Sequence, residues 1–243
     1  MRSKTSDAPD PAEIDRRGVR WLSLGGGLGC ASGIAILLLP SVFLWIATYA
    51  PTGFLSPGPH LVTIDGVLVL AGALLLVLSL FLYRRAFSTL RRSDRRFRGP
   101  WALSLVGTLG VLFVLATAVI VLAYSNSIPA CLGPHGVPSF SCLQSHAPWA
   151  VTSGLVGFWL TWLGGVGIVF GLGLAGRRFR TVLFSAGAAL YAVVLLALVG
   201  PFFAALRPFP GSADLLLGAS IVAVVAPALV LVASSRARSG TTS

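Results

Sequence analysis

The chain has 243 residues, of which 56% are hydrophobic and only 10% charged, and its 18 Lys and Arg stand against 7 Asp and Glu for a net charge of +11. Soluble domains are about one quarter charged, and disordered chains combine low hydrophobicity with high net charge, so both classes are excluded. What remains is an all-α polytopic membrane protein, because lipid forces every backbone polar group to be satisfied within helices or closed barrels.

A hydrocarbon core about 30 Å thick needs about 20 apolar residues per helix. Six stretches qualify, at 22–49, 61–83, 101–124, 149–175, 181–206 and 214–234. They predict a six-transmembrane-helix domain over 19–234, flanked by tails at 1–18 and 235–243. The 78 residues from Gly99 to Gly176 contain no Asp, Glu, Lys or Arg, which marks two spans joined by an uncharged loop.

Residues 1–18, with Asp7, Pro9, Asp10, Pro11 and Glu13, read as a solvated tail. Span one follows a basic segment, as a signal peptide would. Its apolar run is far longer than the 7–15 residues typical of a signal core, and Pro51 follows the small residue Ala50 where cleavage would fall, so it is expected to stay as a permanent helix. Gly25, Gly29 and Gly33 recur every four residues in it, a pattern that lets backbones approach closely, either within the protomer or between two copies. Cys30 beside them is expected to be a small packing residue, and Pro40 should kink the helix.

Span two carries Asp65 in its expected first turn, where a carboxylate meets free N–H groups and the positive end of the helix dipole. Its far end runs into YRRAFSTLRRSDRRFRG, in which Tyr83, Phe87, Leu90 and Phe97 share one helical face. Arg84, Arg85, Arg91, Arg92, Arg95, Arg96 and Arg98 provide the charge, which predicts a basic amphipathic helix against anionic lipid headgroups. Pro100 then falls in the first turn of span three, where its missing N–H costs nothing.

The loop between spans three and four holds Cys131, His135, Cys142 and His146, as two Cys-x3-His pairs. A Cys131–Cys142 disulfide suits an oxidising exterior. The same four residues could instead complete a Cys2His2 site for zinc or copper, and the two readings exclude each other because a disulfide has no thiolates to give. No other cofactor is expected. Span four contains Gly167 and Gly171 as a second packing face, and Trp159 and Trp162 flank Thr161 near its middle, as interhelical packing or as the wall of a pocket. Asp214 opens span six, Arg207 is the one cation on that side and could pair with either Asp65 or Asp214, and Pro227 should kink the span.

Positive residues resist translocation, so the loops that hold them should face the cytoplasm. Of the 18 basic residues, 17 precede span one, follow span six or lie in the connections after spans two and four, leaving only Arg207 on the other side. The expectation is a plasma-membrane protein with both termini cytoplasmic. Trp21, Tyr83 and Trp101 would anchor the inner interface, and Trp45, Tyr49, Tyr124 and Trp149 the outer one.

The runs LYRRAFSTLRRSDRRFRGPWALSLVGTLG and GRRFRTVLFSAGAALY resemble an uncharacterised archaeal multi-pass membrane protein family, a domain of unknown function. The resemblance covers spans two to five, leaves out the Cys/His loop and implies no activity. The leading expectation is therefore a non-enzymatic structural or accessory subunit, or a membrane-organising protein. A small transporter or channel lined by Thr161, Asp65 and Asp214 is the alternative, and an extracytoplasmic metal or redox site the third. Candidate partners are the bilayer with its anionic lipids, other membrane subunits, or a second copy. Nucleic acid is excluded, since the positive charge sorts by topology and no nucleic-acid-binding motif accompanies it.

Overall fold

The computed structural model describes residues 10–38, 59–125, 145, 148–204 and 212–239, and these are helical apart from short connections. Among the described residues six helices follow one another: α1 (Pro11–Gly33), α2 (Pro59–Leu90), α3 (Arg98–Ser125), α4 (Pro148–Arg178), α5 (Val182–Ala204) and α6 (Ser212–Ser239). A π-helical turn, Ile34–Leu38, extends α1, and a 3-10 turn, Arg95–Phe97, leads into α3. Among the described residues, the segments Ala71–Leu90, Arg95–Thr117, Thr152–Arg178 and Leu217–Ala237 are long and apolar enough to cross a membrane, and Val182–Ala197 is a shorter apolar stretch.

The helices pack in a closed order. Each contacts its neighbours in the chain, and α6 returns to α1. The tightest crossing joins α3 to α4, where a Cβ added to Gly107 would come within 2.5 Å of Gly164 Cα. Missing side chains on both helices let the backbones come that near, and in lipid such approach supplies the dispersion contacts that hydrophobic drive supplies in water.

The packing glycines of span one are occupied inside the protomer. Gly25 faces Tyr83 of α2, Gly29 faces Ser79 of α2 and Pro227 of α6, and Gly33 faces the Ala223 carbonyl. A homodimer would therefore have to use another surface. In span four, Gly167 receives Leu103 of α3 and Gly171 receives the ring of Phe87. Pro227 sits inside a continuous α6. It has no N–H to give to the carbonyl four residues earlier, that of Ala223, and this is the carbonyl that lies against Gly33.

Two expectations at the arginine-rich end are corrected. Helix α1 begins at Pro11, so residues 11–18 are helical and not an unstructured tail, although Pro11, Ala12, Glu13, Arg16 and Arg17 stay exposed: Asp10 caps the helix by accepting from the Ala12 N–H at 3.0 Å, Pro11 takes the first helical position, and Gly18 is buried. The basic amphipathic helix is not continuous either. α2 ends at Leu90, and Asp94 accepts from the Arg96 N–H at 2.9 Å to start the 3-10 turn that reverses the chain into α3. The apolar face Tyr83, Phe87, Leu90 and Phe97 consequently turns into the protein, with every member nearly or fully buried, rather than onto headgroups. Tyr83 is thus a core residue and not an interfacial anchor.

Candidate functional site

Near the arginine-rich end the middle of the bundle is filled by aromatic rings. Tyr83, Phe87 and Phe97 stack in sequence with centroids 6.3 and 6.2 Å apart, and Tyr191 of α5 meets Tyr83 edge-on at 6.5 Å. The two tyrosine hydroxyls lie 3.3 Å apart. Directly beyond this plug, toward the other end, a cavity of about 210 Å³ opens between α1, α2, α4, α5 and α6.

Apolar and small side chains make most of the cavity wall, with Leu76, Leu80, Ile168, Val194 and Ala223 among them. Its polar contributors are Ser32, Ser79, Thr161 and the two tyrosines. Each non-aromatic hydroxyl donates to a main-chain carbonyl: Ser32 to Gly72 at 2.9 Å, Ser79 to Gly25 at 2.8 Å and Thr161 to Gly157 at 2.8 Å. The first two bonds run in opposite directions between α1 and α2 and fasten that pair. With the serine and threonine donors satisfied, the wall offers apolar surface, a few hydroxyl oxygens as acceptors and the one tyrosine O–H that the Tyr83–Tyr191 bond does not use, which suits a small, largely apolar guest. No acid, base or cation is among its described lining residues.

At the basic end, three segments distant in sequence meet on one guanidinium. Arg178, at the end of α4, donates from Nε and Nη2 to the Asp15 carboxylate of α1 at 2.9–3.1 Å. Its Nη1 stands 3.7 Å from Asp94 Oδ2, and Ser93 Oγ donates to Asp15 at 3.1 Å. The three charged side chains are only 23–29% exposed, so water screens them incompletely. This cluster was not anticipated from sequence. Its one available signal was Asp94, a lone acid inside a loop of seven arginines.

The arginines expected to share a headgroup-facing helix divide instead. Arg84 and Arg91 lie over the Trp101 ring, at 5.7 and 4.1 Å from its centroid, and Arg85 lies over Trp21 at 4.2 Å. Arg92, Arg95, Arg96 and Arg98 are exposed. Thr161 does line the cavity, whereas Trp159 and Trp162 do not: they meet edge-on at 6.0 Å, and Trp162 Nε1 donates to the Leu195 carbonyl of α5 at 3.0 Å. Asp214 is the third residue of α6, within its first turn. Asp65 is the seventh of α2, because that helix starts at Pro59, and so it lies beyond the first turn where it was expected. Arg207, Cys131, His135, Cys142 and His146 lie outside the described residues, and with them the disulfide and metal readings. Cys30 is a half-buried free thiol.

These features define a membrane-embedded helical bundle with an apolar interior cavity and an ion-paired basic end. No protein-family model, curated protein or solved structure matches the chain, and no family membership is assigned.

Proposed function

We propose that the chain is a non-enzymatic plasma-membrane protein of six spans with both termini cytoplasmic, acting as a structural or accessory subunit or as an organiser of the surrounding membrane. The observation that supports it is the interior. Aromatic rings fill the bundle at the basic end, and the cavity beyond them has its serine and threonine hydroxyls bonded to the protein's own backbone. Orientation is supported by the 17 of 18 basic residues that the topology collects on one side. Anionic lipids are the natural partners of that side.

Purification in mild detergent, with identification of co-purifying proteins and lipids, tests this reading. A membrane protein retained in fixed ratio is the expected result. A lone protein that conducts solute in proteoliposomes would overturn it and would favour a small transporter, a second reading supported by Thr161 in the cavity wall. In that case Thr161→Val would reduce flux. Orientation is tested by the native cysteines: a membrane-impermeant thiol reagent applied to intact cells after mild reduction should label Cys131 and Cys142, and labelling only after lysis would invert the topology.

A further inference from the structure

The basic end carries a second concave feature, separate from the Arg178 cluster. A cleft of about 500 Å³ lies between the first turns of α1 and the last turns of α2. Arg17 and Arg20 line it from α1, Arg85 and Arg92 from the α2 side, and Glu13 is the one carboxylate. Glu13 pairs with Arg17. Among the described residues Arg20, Arg85 and Arg92 have no carboxylate partner, so three guanidinium groups around one cleft are left for an outside anion. The Trp21 ring, with Arg85 held 4.2 Å above its centroid, makes one wall, and the hydroxyls of Ser88 and Thr89 also border the space.

The residues above the cleft point to the kind of anion. On α2 the helical repeat continues from Arg85, with Arg92 in the turn just past the helix end, to Phe81, Leu78 and Leu74, which are 44%, 47% and 58% exposed. On α1 it continues from Arg17 and Arg20 to Leu24, 46% exposed. One seam therefore runs from a cationic cleft onto open apolar surface in the direction of the membrane interior. A free phosphate would use the first part and leave the second unexplained. A phospholipid uses both.

We propose that this cleft binds the phosphate of an anionic phospholipid, with guanidinium forks on its oxygens and an acyl chain laid along Leu24, Phe81, Leu78 and Leu74. The inference rests on the membrane-spanning reading, not on the accessory role. It replaces a general attraction of the basic loop for lipid by one bounded site, which takes in two arginines of α1 and leaves out Arg84, Arg91, Arg95, Arg96 and Arg98.

The test is native mass spectrometry of the detergent-purified protein with added phosphatidylglycerol, phosphatidylcholine or glycerol phosphate. The comparison is between the wild type, Arg20→Gln/Arg92→Gln, and Arg95→Gln/Arg96→Gln, which removes the same charge from exposed positions outside the cleft. Phosphatidylglycerol adducts should exceed phosphatidylcholine adducts, fall by about tenfold or more in the cleft variant, and persist in the control. An equal fall in both variants would mean diffuse attraction and would overturn the site. Glycerol phosphate bound as tightly as the lipid would overturn the lipid assignment in favour of a soluble phosphate. Recovery of the protein in the soluble fraction, without detergent, would instead defeat the membrane reading itself.

Discussion

Replacing Gly107 with alanine tests whether α3 and α4 are held by backbone contact. The new methyl group would stand 2.5 Å from Gly164 Cα, about 1 Å or more inside the optimum separation of two carbons, so the helices must part where they cross. Overpacking of this kind destabilises by about 1–3 kcal/mol. Alanine's higher helix propensity offsets about 1 kcal/mol of it, which leaves a net loss of about 0–2 kcal/mol. Gly173, on α4 as well, is the matched control: nothing lies within 4 Å of its added Cβ, so Gly173→Ala keeps only the propensity gain. The two substitutions should differ by the overpacking cost alone, about 1–3 kcal/mol, or about 5- to 150-fold in the unfolding equilibrium. Graded dodecyl sulfate unfolding in mild detergent, followed by tryptophan fluorescence, measures this, since Trp159 and Trp162 report on α4. The second change at the crossing, Gly164→Ala, should cost less in the Gly107→Ala background than alone, because the helices are already parted. Equal shifts for Gly107→Ala and Gly173→Ala would refute the reasoning.

Other positions yield sharper single tests. Arg180, in the left-handed region at φ 49°, closes α4 with the Thr181 N–H bonded back to the Gly176 carbonyl at 3.1 Å, a place where glycine is the unstrained residue. Arg180→Gly should raise stability by about 1 kcal/mol, seen as a higher thermal midpoint, and a lower midpoint would count against the assigned conformation. Arg178→Gln leaves Asp15 and Asp94 without their shared cation and should cost about 1–2 kcal/mol, between the values for exposed and buried pairs. Arg178→Lys should recover little, since an ammonium cannot reproduce the fork on Asp15; full recovery in the same unfolding assay would show that charge alone matters. Ser79→Ala removes the buried bond to the Gly25 carbonyl and should cost about 1 kcal/mol, whereas Ser235→Ala, whose bond is exposed, should stay within about 0.5 kcal/mol of wild type.

The apolar stretches were legible because hydrophobic length alone defines them. Helices α3 and α4 run over 98–125 and 148–178, against predicted spans of 101–124 and 149–175. What failed was the ends, where polar residues carry the information. Asp10, Pro11 and Glu13 form an N-terminal helix signature, but in a charged segment they were read as markers of solvation. Leu90 ends α2 although the arginine pattern continues beyond it, because Asp94 offers the backbone a competing cap. At the site, Thr161 was legible as a polar residue within a span. The Tyr83–Tyr191 pair and the Arg178 cluster were not, since their members lie 108 and 163 positions apart and no local period links them. The α3–α4 crossing was overlooked for a different reason: Gly107 has no glycine partner four residues away on its own helix, and the complement that matters, Gly164, is on another.

The return of α6 to α1 also sets an order of events during synthesis. Gly26 and Gly33 face backbone of α6, where an added Cβ would stand 2.9 Å from the Pro227 carbonyl and 3.2 Å from that of Ala223, so this surface of α1 has no cover until α6 arrives. About 180 residues separate the two helices, and at 5–20 residues per second the ribosome needs about 10–40 s to supply them. Throughout that interval α1 is a nascent helix with an open notch. Any chaperone or insertase acting on this protein has that notch to guard, and release from it should coincide with the emergence of α6.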